Sequence, residues 1–289
     1  MSDSPLPKEI REVFQSLSEW RTWIQSHSFL RDGQYIQEVL KYITQVGVID
    51  PLTGHAYPPN EVRIVGENFR ETIRSGQLIS RHRALLVELR QAGSMNAVLL
   101  GRKAKIYAPE ALTEFALYMR GRYPRFLGSE YAETEKEKIS LFPIPHQDIQ
   151  ALSFQNGIFD LVLSNDVFEH VPDLDKALWE CGRVLKPDGF LIATFPFSFN
   201  REDGIKKAVV DGNSVKYLTE PEYHGNPMNP EKGSLVFEVP GWDLVERAKR
   251  AGFSDAAYVF NCSARHGILG PDLAGVFVFC ASKSGQFAP

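Results

Sequence analysis

The stretch FDLVLSND, residues 159–166, constrains the fold of this chain more than any other feature. It is nearly all apolar until Ser164, and a strand of this kind is typical of the centre of a parallel sheet with both faces covered. Polar groups then crowd its end, because Glu169 and His170 follow within four residues of Asp166. Neither a surface loop nor a core needs this crowding, so we expect the end of this strand to face a ligand.

Strand and helix patterns alternate around this stretch from about residue 97 onward. Apolar helical spacing predicts helices over residues 109–121, 173–185 and 241–253. Alternation of strands and helices indicates an α/β fold, here a seven-stranded doubly wound sheet with helices on both faces. The seven predicted strands are AKIY, RFLGSEY, ISLFPIPHQDI, FDLVLSND, GFLIATFPF, AAYVFNC and AGVFVFCAS.

The connection between the last two predicted strands sets the direction of the final one. Only SARHGILGPDL, residues 263–273, joins them. A parallel crossover needs about a dozen residues or more, usually including a helix. We therefore predict that the last strand runs antiparallel to the rest.

The first 96 residues are predicted to form a mostly helical N-terminal region, followed by a sheet domain over residues 97–289. Helical spacing is present in KEIREVFQSLSEWRTWI, QYIQEVLKYI and RHRALLVELRQAG. Within the second domain, the polar segment near 198–238 is long for a strand-to-helix connection. Loops of this length often act as lids over binding sites, and we predict that role here.

Composition narrows the function classes. The net charge of −4 offers no basic field for nucleic acid, and no apolar run approaches the roughly 18 residues of a membrane span. The polar start of the chain predicts no signal peptide, and the expected location is cytoplasmic. The three cysteines lie far apart in apolar segments, so we expect core residues rather than disulfides. The oligomeric state stays open.

The segment from His146 to Phe197 resembles the class I, Rossmann-like methyltransferases that depend on S-adenosylmethionine (SAM). It contains, in order, an acid after the third predicted strand, the FD strand, the EHV helix start and the RVLKPDG turn. The resemblance spans roughly residues 105–282 and implies SAM as the cofactor. One feature departs from the family: the first loop, YAPEALTEFA, has no glycine. It is similar in this to a bacterial subgroup with the same altered loop.

The resemblance assigns four residues to the nucleoside part of SAM. Glu130 matches the acid that accepts hydrogen bonds from both ribose hydroxyls, and Gly128 lies in the same strand end. Asp148 matches the acid that binds the adenine amino group, and Ile149 would contact the ring. The alternative is that Glu130 and Asp148 only cap a strand end and a turn.

Four further residues are assigned to the methionine part of the cofactor. Asn165 and Asp166 end the fourth strand, where the family lines the sulfonium. Phe168 would flank that pocket, and Glu110 in the first loop would reach the ammonium group. Asp166 could equally cap the helical turn that follows it.

Two histidines are the candidate catalytic residues for methyl transfer to a small-molecule or glycan acceptor, at oxygen or nitrogen. His170 follows the central strand and could act as a general base. His224 lies in the predicted lid, beside Tyr223. The alternatives are that His170 is a packed residue at a helix start, and that His224 only ties the lid to the domain.

The alternatives to a methyltransferase are an inactive SAM-binding regulator and an oxidoreductase, and a zinc site is a further possibility to test against the sequence. The glycine-free loop is compatible with an inactive SAM-binding regulator. A nucleotide-dependent oxidoreductase would also use an acid after the second strand, but G-x-G-x-x-G is missing from the chain. Residues 50–86 are similar to the frame of a small zinc ribbon without its cysteines, so we expect no metal.

Overall fold

The computed structural model describes residues 7–212 and 214–285. Side-chain oxygens cap several helix starts, for example Ser16 before the first helix and Asp173 before the helix that follows the central strand. The α-helices in the described residues are α1 Leu17–Ser26, α2 Gly33–Val46, α3 Phe69–Thr72, α4 Ser80–Met95, α5 Glu114–Arg122, α6 Glu135–Leu141, α7 Leu174–Val184 and α8 Leu244–Arg250. Short 3₁₀ helices span Ser28–Arg31, Pro59–Glu61, Ala97–Leu100 and Phe168–His170.

The strands fall into one large sheet and several two-stranded ribbons. They are β1 Ile10–Phe14, β2 Val48–Ile49, β3 Ala56–Tyr57, β4 Val62–Ile64, β5 Ile73–Ser75, β6 Ile106–Ala108, β7 Phe126–Gly128, β8 Phe159–Asn165, β9 Leu185–Thr194, β10 Ile205–Lys206, β11 Ala208–Asp211, β12 Ser214–Tyr217, β13 Tyr223–His224, β14 Ser234–Leu235, β15 Glu238–Val239, β16 Asp255–Cys262 and β17 Val276–Ser282.

The large sheet has seven strands in the order β1-β16-β17-β9-β8-β6-β7. Strands β7, β6, β8 and β9 are parallel neighbours. Strand β17 is antiparallel to both β9 and β16, so the predicted antiparallel last strand is confirmed. All seven residues of β8 are buried, as expected of a central parallel strand.

Helices cover both faces of the sheet, as the doubly wound prediction requires. One apolar core contains the buried residues of α1, α2, α7 and α8, and the other contains those of α4 and α5. Cys181, Cys262 and Cys280 are buried and free. No helix in the described part of the chain is long and apolar enough to cross a membrane.

Three local predictions were wrong. Residues 10–14 form strand β1, paired with β16 from Ile10–Cys262 to Phe14–Tyr258, and the helix begins only at Leu17. The third predicted strand, residues 139–149, is replaced by α6 and one parallel bridge between Glu130 and His146. The sheet therefore reaches seven strands through β1. Helix α5 begins at Glu114 rather than at residue 109, and Leu112, which precedes it, is exposed.

The N-terminal region packs directly on the sheet. Arg83 in α4 is fully buried, and its guanidinium donates hydrogen bonds to Ile73 O and Gly267 O at 2.8 and 2.9 Å. These bonds join the β4–β5 ribbon to the segment between β16 and β17. The boundary at residue 97 remains a prediction, although β1 and α4 share the sheet and core of the residues beyond it.

The segment near 198–238 forms small antiparallel ribbons rather than an irregular coil. Strand β10 pairs with β15, β11 with β12, and β13 with β14. We call residues 198–238 the lid segment. Phe237 N donates to Glu169 O at 2.7 Å, so this segment lies against the turn that follows β8.

Candidate functional site

The candidate cofactor residues lie at one edge of the sheet. Strands β6, β7 and β8 are parallel neighbours and end at Ala108, Gly128 and Asn165. The residues that follow therefore meet at the carboxyl edge, where open α/β sheets bind their ligands.

Glu130 binds the backbone of the glycine-free loop. Its Oε1 accepts hydrogen bonds from Ala111 N and Leu112 N, at 2.8 and 2.9 Å. Burial raises the pKa of this carboxyl, and the two backbone bonds oppose the rise. Oε2 has no hydrogen bond to another described residue, so one oxygen is left for a ligand.

Gly128 allows the first loop to pass close to β7. A Cβ at this position would lie 2.6 Å from Glu110 O, which is too close for any side chain. The loop backbone thus lies directly over the end of β7.

Glu110 and Asn165 are brought together by the ends of β6 and β8. Asn165 Nδ2 donates to Glu110 Oε1 at 2.7 Å, and Thr113 Oγ1 donates to Oε2 at 2.7 Å. Glu110 is 4% exposed, and burial raises the pKa of its carboxyl against the effect of these bonds. A buried carboxylate at this edge is suited to a cationic group.

Asp148 and Ile149 follow the bridge between Glu130 and His146. Asp148 Oδ1 accepts from the backbone N–H of Gln150 at 2.9 Å, which is the turn-capping arrangement considered as an alternative. The Ile149 side chain is buried in the core. Their cofactor roles remain predictions.

Asp166 has an unexpected partner in the N-terminal region. It adopts a positive φ of 52°, and the guanidinium of Arg70 donates to both of its carboxylate oxygens, at 2.6 and 2.8 Å. Arg81 Nε lies 3.3 Å from Oδ2. Burial would raise the pKa of Asp166, but the two arginines outweigh it and hold the pKa below its usual range. The sequence offered no signal for this ion pair.

Phe168 lies in the buried core, and its place beside the cofactor pocket remains a prediction. It is fully buried, and its ring stacks on Phe195 with centroids 5.8 Å apart. It supports the turn that carries Glu169 and His170.

The two candidate catalytic histidines, 54 residues apart in sequence, meet at Glu169. Their rings are in edge contact, with centroids 5.1 Å apart. His170 Nε2 lies 3.6 Å from Glu169 Oε1, and His224 Nδ1 lies 3.5 Å from the same oxygen. Their other ring nitrogens face outward: His170 Nδ1 lies 2.9 Å from Leu235 O, and His224 Nε2 lies 3.0 Å from Glu222 Oε1.

Glu169 is the functional candidate that sequence reasoning missed. Its side chain is fully buried, and neither carboxylate oxygen accepts a hydrogen bond from the described residues. Burial raises the pKa of Glu169. The interaction with Glu169, opposed by burial and aided by Glu222, raises the pKa of His224 to about 9. We call Glu169, His170 and His224 the histidine–glutamate cluster.

Two cavities lie elsewhere on the molecule. One of 430 Å³ is lined by residues that include Thr53, Tyr118 and Arg122, and one of 370 Å³ by residues that include Asp175, Asp203 and Arg247. Neither is lined by a predicted site residue.

Comparison with known proteins agrees with the resemblance. Residues 123–193 match the family model described as a methyltransferase domain. The sarcosine/dimethylglycine N-methyltransferase of Halorhodospira halochloris is 32% identical over 72 residues, which are 25% of this chain and 26% of that protein. An uncharacterized methyltransferase of Mycobacterium sp. (strain KMS) is 30% identical over 113 residues, covering 37% of this chain and 44% of the relative.

The SAM-bound amino pentose methyltransferase of Micromonospora echinaspora has a similar solved structure. The TM-score is 0.44 at 16% identity, over 72% of this chain and 94% of that one. The aligned parts span less than half the length of the two sequence relatives. The match of residues 123–193 to a methyltransferase domain agrees with SAM as the cofactor and argues against the nucleotide-dependent oxidoreductase.

Proposed function

We propose that the protein transfers a methyl group from SAM to a small-molecule or glycan acceptor, at oxygen or nitrogen, because residues 123–193 match the family model described as a methyltransferase domain. The observation that carries this proposal is the group of polar side chains at the carboxyl ends of β6, β7 and β8. Glu110, Glu130 and Asn165 are linked there through the first loop.

The cofactor would lie across this edge with its nucleoside towards β7. Glu130 Oε2 is the acceptor for a ribose hydroxyl, and Asp148 is the acceptor for the adenine amino group. The ammonium of the methionine part would lie near Glu110, whose buried negative charge a cation offsets.

The acceptor would enter on the side of the lid segment. The β13–β14 ribbon brings His224 beside His170, at the turn that follows β8. Tyr217 and Tyr223 are 48% and 45% exposed, and their hydroxyls lie 3.3 Å apart. Exposed aromatic rings next to polar groups suit a flat or sugar-like acceptor, which supports a small-molecule or glycan class over a macromolecular one.

The transfer is an in-line displacement. The acceptor's lone pair forms a bond to the methyl carbon while the carbon–sulfur bond breaks, and its electron pair stays on sulfur as S-adenosylhomocysteine. Because the sulfonium is already an activated electrophile, the protein contributes mainly alignment and exclusion of water. The proton of a hydroxyl acceptor would leave on the side of the histidine–glutamate cluster.

Calorimetry with SAM, followed by incubation with methyl-labelled SAM and host metabolite and glycan extracts, tests the proposal. We expect SAM binding and transfer of label to a product that mass spectrometry identifies by its added methyl group. Absence of SAM binding would refute the proposal. Binding without transfer to any fraction would favour the SAM-binding regulator.

A further inference from the structure

Glu169 is a buried carboxylate whose neighbours are two histidines that lie beyond good hydrogen-bonding distance. It is fully buried, yet both oxygens are without a hydrogen bond from any described residue. Buried charges in proteins are paired, hydrogen-bonded or bound to a metal ion. The groups nearest Oε1 are His224 Nδ1 and His170 Nε2, at 3.5 and 3.6 Å. These separations are too long for strong hydrogen bonds.

The same separations suit three atoms that share one metal ion. Zinc lies about 2.0–2.2 Å from histidine nitrogen and carboxylate oxygen, and tetrahedral angles then place neighbouring ligand atoms roughly 3.3–3.6 Å apart. One ligand atom from each member of the cluster lies within 4.8 Å of the others. It is the one group of this kind found among residues 7–212 and 214–285.

The outer ring nitrogens are held as metal-binding histidines require. Leu235 O lies 2.9 Å from His170 Nδ1, and the Glu222 carboxylate lies 3.0 Å from His224 Nε2. Both groups accept hydrogen bonds only, so they hold an N–H on the outer nitrogen. A bound metal ion would take the inner nitrogen by displacing the proton that this nitrogen otherwise directs at Glu169. Metal-bound histidines almost always donate their second N–H to a carbonyl or carboxylate. Lys207 in turn pairs with Glu222 and holds it in place.

We propose that Glu169, His170 and His224 bind a divalent transition-metal ion, with Glu222 as the positioning residue for His224. Two imidazoles and one carboxylate are a ligand set typical of zinc, manganese, iron or cobalt. Asp166 does not belong to the set, because Arg70 and Arg81 hold its carboxylate. This proposal departs from the expectation of no metal, which was drawn from the missing cysteines of residues 50–86.

Three protein ligands leave coordination positions open on the ion. On the proposed function, those positions face the acceptor and would take its hydroxyl oxygen. This second statement rests on the proposed function, whereas metal binding stands on the geometry of the cluster.

Untagged protein, stripped with EDTA and dialysed, tests the site with cobalt(II) and zinc(II) alone. We expect one equivalent of zinc by equilibrium dialysis and elemental mass spectrometry, and visible absorption bands with cobalt. H224A, H170A and E169Q should each lose the bound equivalent and the bands. E222Q should weaken binding by about 10–100-fold, the range for a partner of a metal-bound histidine.

H55A is the matched control, because His55 is exposed and lies outside the cluster. It should bind zinc like the wild type, and circular dichroism should show that every variant is folded. Less than stoichiometric zinc in the wild type would overturn the proposal, as would full affinity in folded E169Q and H224A. SAM calorimetry on the same samples separates the two proposals, since metal binding without SAM binding refutes only the proposed function.

Discussion

Glu130 allows the cofactor contact to be separated from the support of the first loop. Its Oε1 holds the loop through Ala111 N and Leu112 N, and Oε2 is free for the ribose. Replacement by glutamine keeps one carbonyl oxygen for the two loop bonds and removes the second acceptor. Replacement by alanine removes both functions. The two variants therefore have different expected effects on stability and on affinity.

The magnitudes follow from the bonds lost. A hydrogen bond to a charged group contributes about 1.5–3 kcal/mol, so E130Q should weaken SAM binding by roughly 10–150-fold. Its melting temperature without ligand should stay near that of the wild type. E130A frees two backbone N–H groups as well, and because Leu112 is exposed its N–H can bind water. We expect about 2–4 kcal/mol of lost stability in E130A.

Calorimetry with SAM and chemical denaturation measure the two effects on the same preparations. S129A, which removes a buried hydroxyl that contacts Tyr107 rather than the loop, serves as the neighbouring control. Unchanged SAM affinity in E130Q would show that Glu130 supports the loop alone, and unchanged stability in E130A would show that the loop bonds contribute nothing.

Four further predictions address other parts of the molecule. D148N should weaken SAM binding with little change in the melting temperature of the ligand-free protein, and equal affinities would reject the adenine contact. H224A should retain SAM binding while turnover falls by about 100-fold, as for a lost acid–base or ligand group; unaffected turnover would move attention to His170. D166N removes the carboxylate that Arg70 and Arg81 share and leaves both arginines with Glu71 as their acidic partner, so it should cost about 1–3 kcal/mol in the free energy of unfolding, measured with urea. Burial lowers the pKa of His82 well below its ordinary value. Below about pH 6.5 the unfolded chain therefore binds a proton that the folded protein does not, and the protein loses stability as the pH decreases. H82Q should show a smaller decrease in melting temperature between pH 7 and pH 5.

The central parallel strand and the direction of the last strand could be predicted because their sequence signals are local. FDLVLSND has the apolar character of a strand buried on both faces, and the short connection at residues 263–273 excludes a parallel crossover. Both properties are readable from neighbouring residues. The same holds for α7, whose Leu174, Ala177, Leu178 and Cys181 recur at helical spacing and are buried.

The errors lie where a distant segment decides the structure. Ile10, Val13 and Phe14 fit helical spacing as well as a strand, and they form β1 because the edge of β16 offers hydrogen-bonding partners almost 250 residues away. Residues 139–149 are partly apolar, but the first three of them belong to α6. That helix starts with a capping box formed by Thr134 and Glu137.

The candidate site shows the same division. The sequence identified both histidines as candidates, because His170 follows a buried strand and His224 lies in a long polar segment. It did not show how far apart they lie in the fold. Their meeting depends on the β13–β14 ribbon folding back over the turn after β8. Glu169 could not be singled out from the sequence, because glutamates are mostly solvent-exposed and only the tertiary structure buries this one. Likewise, Arg70 and Arg81 reach Asp166 because α3 and α4 pack against the carboxyl edge of the sheet, a long-range arrangement that no local pattern encodes.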